Sequence, residues 1–288
     1  MKPRSPRLAA TGGVLLLAVS LAAEERATPP GATRRLTESL GFSANPAGLQ
    51  HVLDLRWTWR LNSSPGPLLS GAHFAVGASH SLTPSYTRLG VWVELAPLSI
   101  LDLRGGAEGS AYFGNFGSLT SFNSYTDPFG EEARDARKDD ARSGTGSRLY
   151  LSPRLRMRAG PLLMTAGADL EWWWSSAEGP LYYEPARDTL LAVDGGRVLR
   201  TSAALLRRHD WGRGGELAYG VNHSLTHVLD AAANRSQRIG LTVVRQFGPR
   251  RFGLHSPRIA GQVSYYLSDP FRKGQVAASL GLSIGLTR

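Results

Sequence analysis

The stretch Leu49-Gln50-His51-Val52-Leu53-Asp54-Leu55-Arg56-Trp57-Thr58-Trp59-Arg60-Leu61 decides the fold class. Leu53, Leu55, Trp57, Trp59 and Leu61 share one parity, and Asp54, Arg56, Thr58 and Arg60 share the other. Successive side chains on a strand point to opposite faces, so the segment predicts a strand with one oily and one charged side. The same period recurs to the C-terminus and marks eleven strands, near 49–61, 68–81, 86–96, 99–113, 148–159, 162–174, 198–208, 215–228, 236–247, 257–267 and 275–287. One such strand is ordinary; eleven in series predict an all-β chain.

Upstream of these strands the chain changes character. Lys2, Arg4 and Arg7 precede the apolar run Gly13-Val14-Leu15-Leu16-Leu17-Ala18-Val19, and Ser20-Leu21-Ala22 offers small residues where a signal peptidase cuts. Residues 1–22 read as a cleaved secretory signal, because the run is shorter than the ~20 residues that a membrane-spanning helix needs. Residues 23–48, with Pro29-Pro30-Gly31 and Arg34-Arg35, read as a polar leader or a first weak strand. The chain has no cysteine, which removes disulfides and thiolate metal sites. The net charge of +10 is spread along strands rather than gathered in a tail, which argues against nucleic acid. For an exported chain the matching counterparts are anionic lipopolysaccharide or a small anionic solute.

Connector lengths give an independent test. Segments 62–67, 96–99, 160–161 and 209–214 are short, whereas 114–147 and 175–197 are long and fall at one end of the strand array. Outer-membrane barrels have short turns at one rim and longer loops at the other. An even strand number with both termini at the short-turn rim requires one more strand before Leu49, and 33–43 is the available segment. The expected architecture is therefore a closed antiparallel transmembrane barrel of about 12 strands, with 10 to 14 as the range because segments such as 189–193 can add or remove strands. Mean hydropathy is only −0.20, as expected when every second strand residue meets lipid.

Aromatic residues gather at strand ends: Tyr112-Phe113, Trp172 to Trp174, Tyr265-Tyr266, Trp57 and Trp59, with Trp211 in a short turn. They read as interfacial girdles. The last strand alternates through Val276, Ala278, Leu280, Leu282, Ile284 and Leu286. It resembles the C-terminal sorting signal of bacterial outer-membrane proteins, departing from it by ending Leu286-Thr287-Arg288 instead of on an aromatic residue. As a whole, residues 49–288 resemble a Gram-negative outer-membrane β-barrel of the porin-like kind, which implies an outer-membrane location.

If the apolar register faces lipid, the other register lines the lumen. Arg148, Arg154, Arg156 and Arg158 then point inward from one strand, Asp102, Arg104 and Glu108 from the strand before it, and Asp169 and Glu171 from the strand after. A hairpin through Gly160-Pro161 sets Ser152 opposite Asp169 and Arg154 one diagonal step away, within reach of a cross-strand ion pair. Arg56, Arg60, Arg88, Arg238 and Arg258 also face in, against Asp54, Glu94 and Glu216. The lumen so read is a cationic ladder that attracts anions, and by residue type it resembles the lumen of narrow oligosaccharide channels among 12-stranded barrels. The competing reading is paired arginine and carboxylate filler for a small interior.

Catalysis finds little support. Embedded lipid hydrolases place His and Ser two apart on one strand, so that the imidazole can reach the hydroxyl. Here His80 adjoins Ser79 and Ser81, and His223 adjoins Ser224, so each pair faces opposite ways. His223 and His227 stand too far apart along a strand to share a metal. The loop 114–147 begins aromatic, with Phe116, Phe122, Tyr125 and Phe129, and turns to mixed charge from Glu131 to Arg142 without calcium-loop spacing. It either folds into the mouth or reaches outward to a partner. The expected function is a passive diffusion channel with an anion bias, without cofactor or enzymatic activity, embedded in outer-membrane lipid and lipopolysaccharide. The alternatives are a structural or ligand-binding barrel that acts through 114–147 and, third, a membrane-embedded hydrolase.

Overall fold

The computed structural model describes residues 32–62, 66–212, 215–231, 233–248, 250–251 and 254–286. The expected signal peptide and the first part of the leader lie outside the described residues. Twelve long strands run β1 (Thr33–Ala44), β2 (Gly48–Arg60), β3 (His73–Leu82), β4 (Tyr86–Leu98), β5 (Leu101–Phe113), β6 (Ser143–Ala159), β7 (Leu162–Ser175), β8 (Asp194–Asp210), β9 (Glu216–Val228), β10 (Arg235–Gln246), β11 (Leu254–Ser268) and β12 (Val276–Leu286). Each pairs antiparallel with its sequence neighbours, and the ring closes where β1 meets β12, from Leu36 opposite Leu286 to Ala44 opposite Ala278. The chain is a closed 12-stranded antiparallel barrel.

β1 supplies the strand that connector parity demanded. Its pattern is faint because its outward register carries Arg34 and Glu38 among Leu36, Leu40 and Phe42. Glu38 is accommodated there by an outward histidine of β2, His51, at 2.9 Å. The segment near 189 forms a strand, Thr189–Ala192, but it pairs with Leu181–Glu184 in a separate three-stranded sheet and adds nothing to the barrel.

β4 displays the two faces most plainly. Leu89, Val91, Val93 and Leu95 stand 43–66% exposed on the outside, whereas Arg88, Trp92 and Glu94 are buried inside. Each large aliphatic left in water forgoes about 1.5–3 kcal/mol, so an apolar wall that runs round the barrel requires a nonaqueous neighbour. Among the described residues no helix is long and apolar enough to cross a membrane; the strands are the spanning elements.

The strand-end aromatics divide between the faces. Phe113 and Tyr265 are exposed outside, but their neighbours Tyr112 and Tyr266 are buried inside, and Trp173 is fully buried between Trp172 and Trp174. The girdle expectation is thus corrected for Tyr112, Trp173 and Tyr266: adjacent residues on a strand cannot share a face. Inside the barrel wall, Gly77 leaves room for Trp92, since a Cβ there would stand 2.2 Å from the indole Cζ2 and 2.4 Å from the carbonyl oxygen of Leu55. Trp92 therefore lies against the wall and donates its Nε1–H to Asp54 at 3.1 Å.

Candidate functional site: a capped lumen lined by arginine

Two long loops close one rim. Residues 114–142 carry the strand Ser121–Phe122, the short helix α1 (Glu131–Ala136) and a 3-10 turn, and they pack on the hairpin formed by Leu181–Glu184 and Thr189–Ala192. The cap has a core of its own, in which Phe122, Phe129, Leu181, Tyr183 and Leu190 cluster. Beneath it, inward Tyr86, Tyr112, Trp173 and Val198 of the barrel wall join Leu119, Tyr182, Ala186 and Leu191 in a second cluster. Asp188 clasps the cap: it accepts hydrogen bonds from the Tyr183 hydroxyl at 2.6 Å and from Arg134 at 3.3 Å, and pairs with Arg272. Burial pushes the Tyr183 hydroxyl well above its usual pKa, and the Asp188 carboxylate adds to the shift. Phe271, from the loop after β11, stacks edge-on against Phe129 at 4.7 Å. The loop expected at 114–147 therefore folds across the mouth, and its last residues belong to β6.

The hairpin tip reaches down into the lumen and docks through charges of both signs. Arg187 donates two hydrogen bonds to Glu171, each 2.6 Å, and Glu184 pairs with Arg88 at 3.5 Å while accepting the Tyr112 hydroxyl. Arg148 bridges Glu171 at 3.0 Å and Glu108 at 2.8 Å, and Trp173 donates its indole N–H to Glu171 at 2.9 Å. The guanidinium carbons of Arg88, Arg148 and Arg187 lie 4.8–5.3 Å from the Trp173 ring, within cation–π range. Glu171 and Glu184 are essentially inaccessible to water. At this depth an unpaired charge costs several kcal/mol, and each guanidinium here has a carboxylate.

Below lies a cavity of about 530 Å³ whose lining includes Arg35, Arg56, Arg88, Arg104, Arg148, Arg154, Arg156, Arg187, Arg200 and Arg258 against Asp54, Glu108, Asp169 and Glu171. Toward the short-turn rim Glu94 holds Arg56 at 2.5 Å, Arg104 at 3.0 Å and His73 at 3.0 Å, and Asp102 holds Arg156 at 2.5 Å. The Arg104 guanidinium also sits 3.9 Å from the Trp92 ring centroid. In the middle the pairing thins. Ser152 donates to Asp169 at 2.6 Å as its position opposite predicts, but the diagonal Arg154 forms no ion pair among the described residues. Arg200 approaches Asp169 only to 3.8 Å, beyond hydrogen-bond length.

The remaining predicted lumen residues lie elsewhere. Arg60, half-buried, ends β2 at the short-turn rim. Glu216 pairs with Arg208 at that same rim. Arg158 is corrected: it is exposed near the hairpin turn and donates to the Gly160 carbonyl at 3.3 Å, because the strand has left the cavity by that residue. Arg238 sits over the Tyr266 ring at the capped rim, 5.4 Å from its centroid.

Sequence reasoning missed Arg35, Arg200, Glu184, Arg187 and Asp188. Arg200 escaped because the inward register of β8 also holds Val198, Ala204 and Leu206, all buried, which blurs the alternation. The others lie in the faint first strand or in a long connector, where no period marks a face.

Other chemistry is poorly supplied. His80 bonds Thr87 and His223 bonds Gln237 on the outer face, while Ser81 lines the cavity and Ser224 is buried inside. Among the described residues, His73, Glu94 and Asp102 have metal-ligand spacing, with their ligating atoms within 4.8 Å of one another. Their negative charge is already matched by Arg56, Arg104 and Arg156, which leaves little to attract a cation.

No protein-family model and no curated protein matches this chain. Among solved structures, the β domain of the Bordetella autotransporter BrkA aligns at 14% identity over 88% of this chain and 98% of that one, with a TM-score of 0.44. The translocator domain of the autotransporter NalP from Neisseria meningitidis aligns at 12% identity over 94% and 92%, with a TM-score of 0.44. The KdgM porin aligns at 8% identity over 87% and 98%, with a TM-score of 0.39.

Proposed function

We propose that this chain is an outer-membrane barrel that takes small anions into its lumen and conducts them when the cap over its outer mouth is displaced. The apolar belt and the parity of long and short connectors support the membrane assignment, which makes the capped rim the outer one and the short-turn rim the periplasmic one. The anion preference rests on one observation: arginines outnumber carboxylates in the cavity lining, and the surplus falls in the middle, where Arg154 has no carboxylate partner among the described residues. In this reading the chain is passive and not an enzyme, and its lipid partners are outer-membrane lipid and lipopolysaccharide.

Reversal potentials in planar bilayers under a salt gradient test the proposal. Anion preference is expected, and it should fade near 1 M salt, where the screening length falls to ~3 Å. Arg187→Ala together with Glu184→Ala, which releases the hairpin tip, should raise the open probability. The apolar core of the cap favours a second reading, a closed barrel that serves as a scaffold through its outer surface. Folded protein that stays silent with the tip released would establish the scaffold and sink the channel.

A further inference from the structure

On the reading of the lumen as an anion path, we infer that one patch of its wall is a built binding niche for an oxyanion group, a carboxylate or a phosphate. The patch spans β6, β7 and β8 at Arg154, Gly167 and Ser202, which stand side by side in register and face inward. Gly167 places bare backbone in the lumen wall. A Cβ there would meet Arg154 Cγ at 3.5 Å and Ser202 Oγ at 3.6 Å, so the two side chains flank an unfilled hollow. One ladder step toward the cap, Arg200 lies opposite Asp169.

Charge is unevenly spent around this hollow. Asp169, the nearest carboxylate, accepts a 2.6 Å hydrogen bond from Ser152 and stands 3.8 Å from Arg200. One step toward the periplasm Arg156 is committed to Asp102 at 2.5 Å. Arg154 and most donors of Arg200 therefore remain for a ligand, and the Ser202 hydroxyl adds a neutral donor. A guanidinium fork matches two oxygens of a carboxylate or phosphate and offers no such match to a halide. The cavity of about 530 Å³ falls within the range of small-molecule sites. The niche is distinct from the paired arginines under the cap, Arg88, Arg148 and Arg187, each of which already faces a carboxylate.

Calorimetric titration of the full chain, refolded in detergent at low ionic strength, tests this with two probes, inorganic phosphate and succinate. Saturable binding of either one, roughly tenfold tighter than chloride, is expected, and the pair of titrations tells which oxyanion is preferred. Arg154→Ser and Arg200→Ser should each weaken it about tenfold; Arg207→Ser, on the outer face of β8, should not. Gly167→Ala keeps every charge and fills the hollow, so it should weaken binding even if the arginine variants fail to fold; heat-modifiable gel mobility reports folding. Absence of saturable binding by both probes, or folded Gly167→Ala and Arg154→Ser that bind like the parent, overturns the niche. If anion preference in bilayers survives that result, the channel reading stands without the niche. Binding with no anion preference would leave the niche and remove the channel.

Discussion

Arg148 and Arg154 share a strand and a face, yet they live in different solvents. Arg148 lies under the cap, held between Glu108 and Glu171 and close to the ring of Trp173. Arg154, six residues nearer the short-turn rim, is exposed in the lumen and has no carboxylate partner among the described residues. Where the hairpin tip excludes water, a charge persists only with its counter-charge, because the desolvation penalty is otherwise unmet. Where water fills the barrel, an arginine remains solvated by itself and its field reaches whatever enters. Structure is concentrated in the first region, and any selectivity in the second.

Substitution at Glu171 puts the greatest strain on this distinction. Glu171→Ala leaves Arg148 and Arg187 without their shared acceptor and should cost about 3–5 kcal/mol in urea unfolding from lipid vesicles. A cost no larger than that of Arg154→Ser would erase the difference between the two zones. Next comes Leu155→Arg, beside Arg154 but on the lipid face, expected to cost roughly 2–4 kcal/mol in the same assay. Ser152→Arg puts the same charge on the lumen side next to Asp169 and should be tolerated far better; equal effects of the two would mean that the assignment of faces is wrong.

Tyr183→Phe is milder. It removes one hydrogen bond to Asp188, worth about 1 kcal/mol, and should speed proteolysis within the cap while the barrel stays folded. Because the Tyr183 pKa is raised in the fold, this contribution is fully present below the ordinary tyrosine pKa and disappears only as pH climbs through the raised value. Protease sensitivity of the parent cap that rises already at neutral pH would contradict the bond. Arg154→Ser is expected to change stability the least, within ~0.5 kcal/mol, while lowering the anion preference measured by reversal potential. A large loss of stability there would show that Arg154 is structural after all.

Several of these features were readable before folding was considered. β4 and β12 declare their faces by strict alternation, and the lumen positions of Arg88, Glu94, Arg104 and Glu171 follow from parity alone. The same parity set Ser152 against Asp169. Its trace blurs where the inner wall turns apolar, as around Arg200 on β8; at Tyr112, Trp173 and Tyr266 the strand-end position, which looked interfacial, misled where parity did not. Alternation turns those three inward; the apolar partners that Tyr112 and Trp173 meet there come from a cap built from two connectors separated by two strands, which leaves no periodic trace.

The sequence by itself determined the class of architecture, the two faces of the wall and the excess of arginine within it. These rest on a two-residue period and on local charge, both carried by neighbouring residues. Only the tertiary structure decided that the mouth is closed, that Arg187 and Glu184 enter the lumen from above, and which arginines are left with a partner. Such outcomes depend on how residues more than thirty positions apart meet, as Tyr112 does with Glu184, and on which of them lose water when they do. Pairing follows burial, and burial is a property of the assembled barrel rather than of any strand.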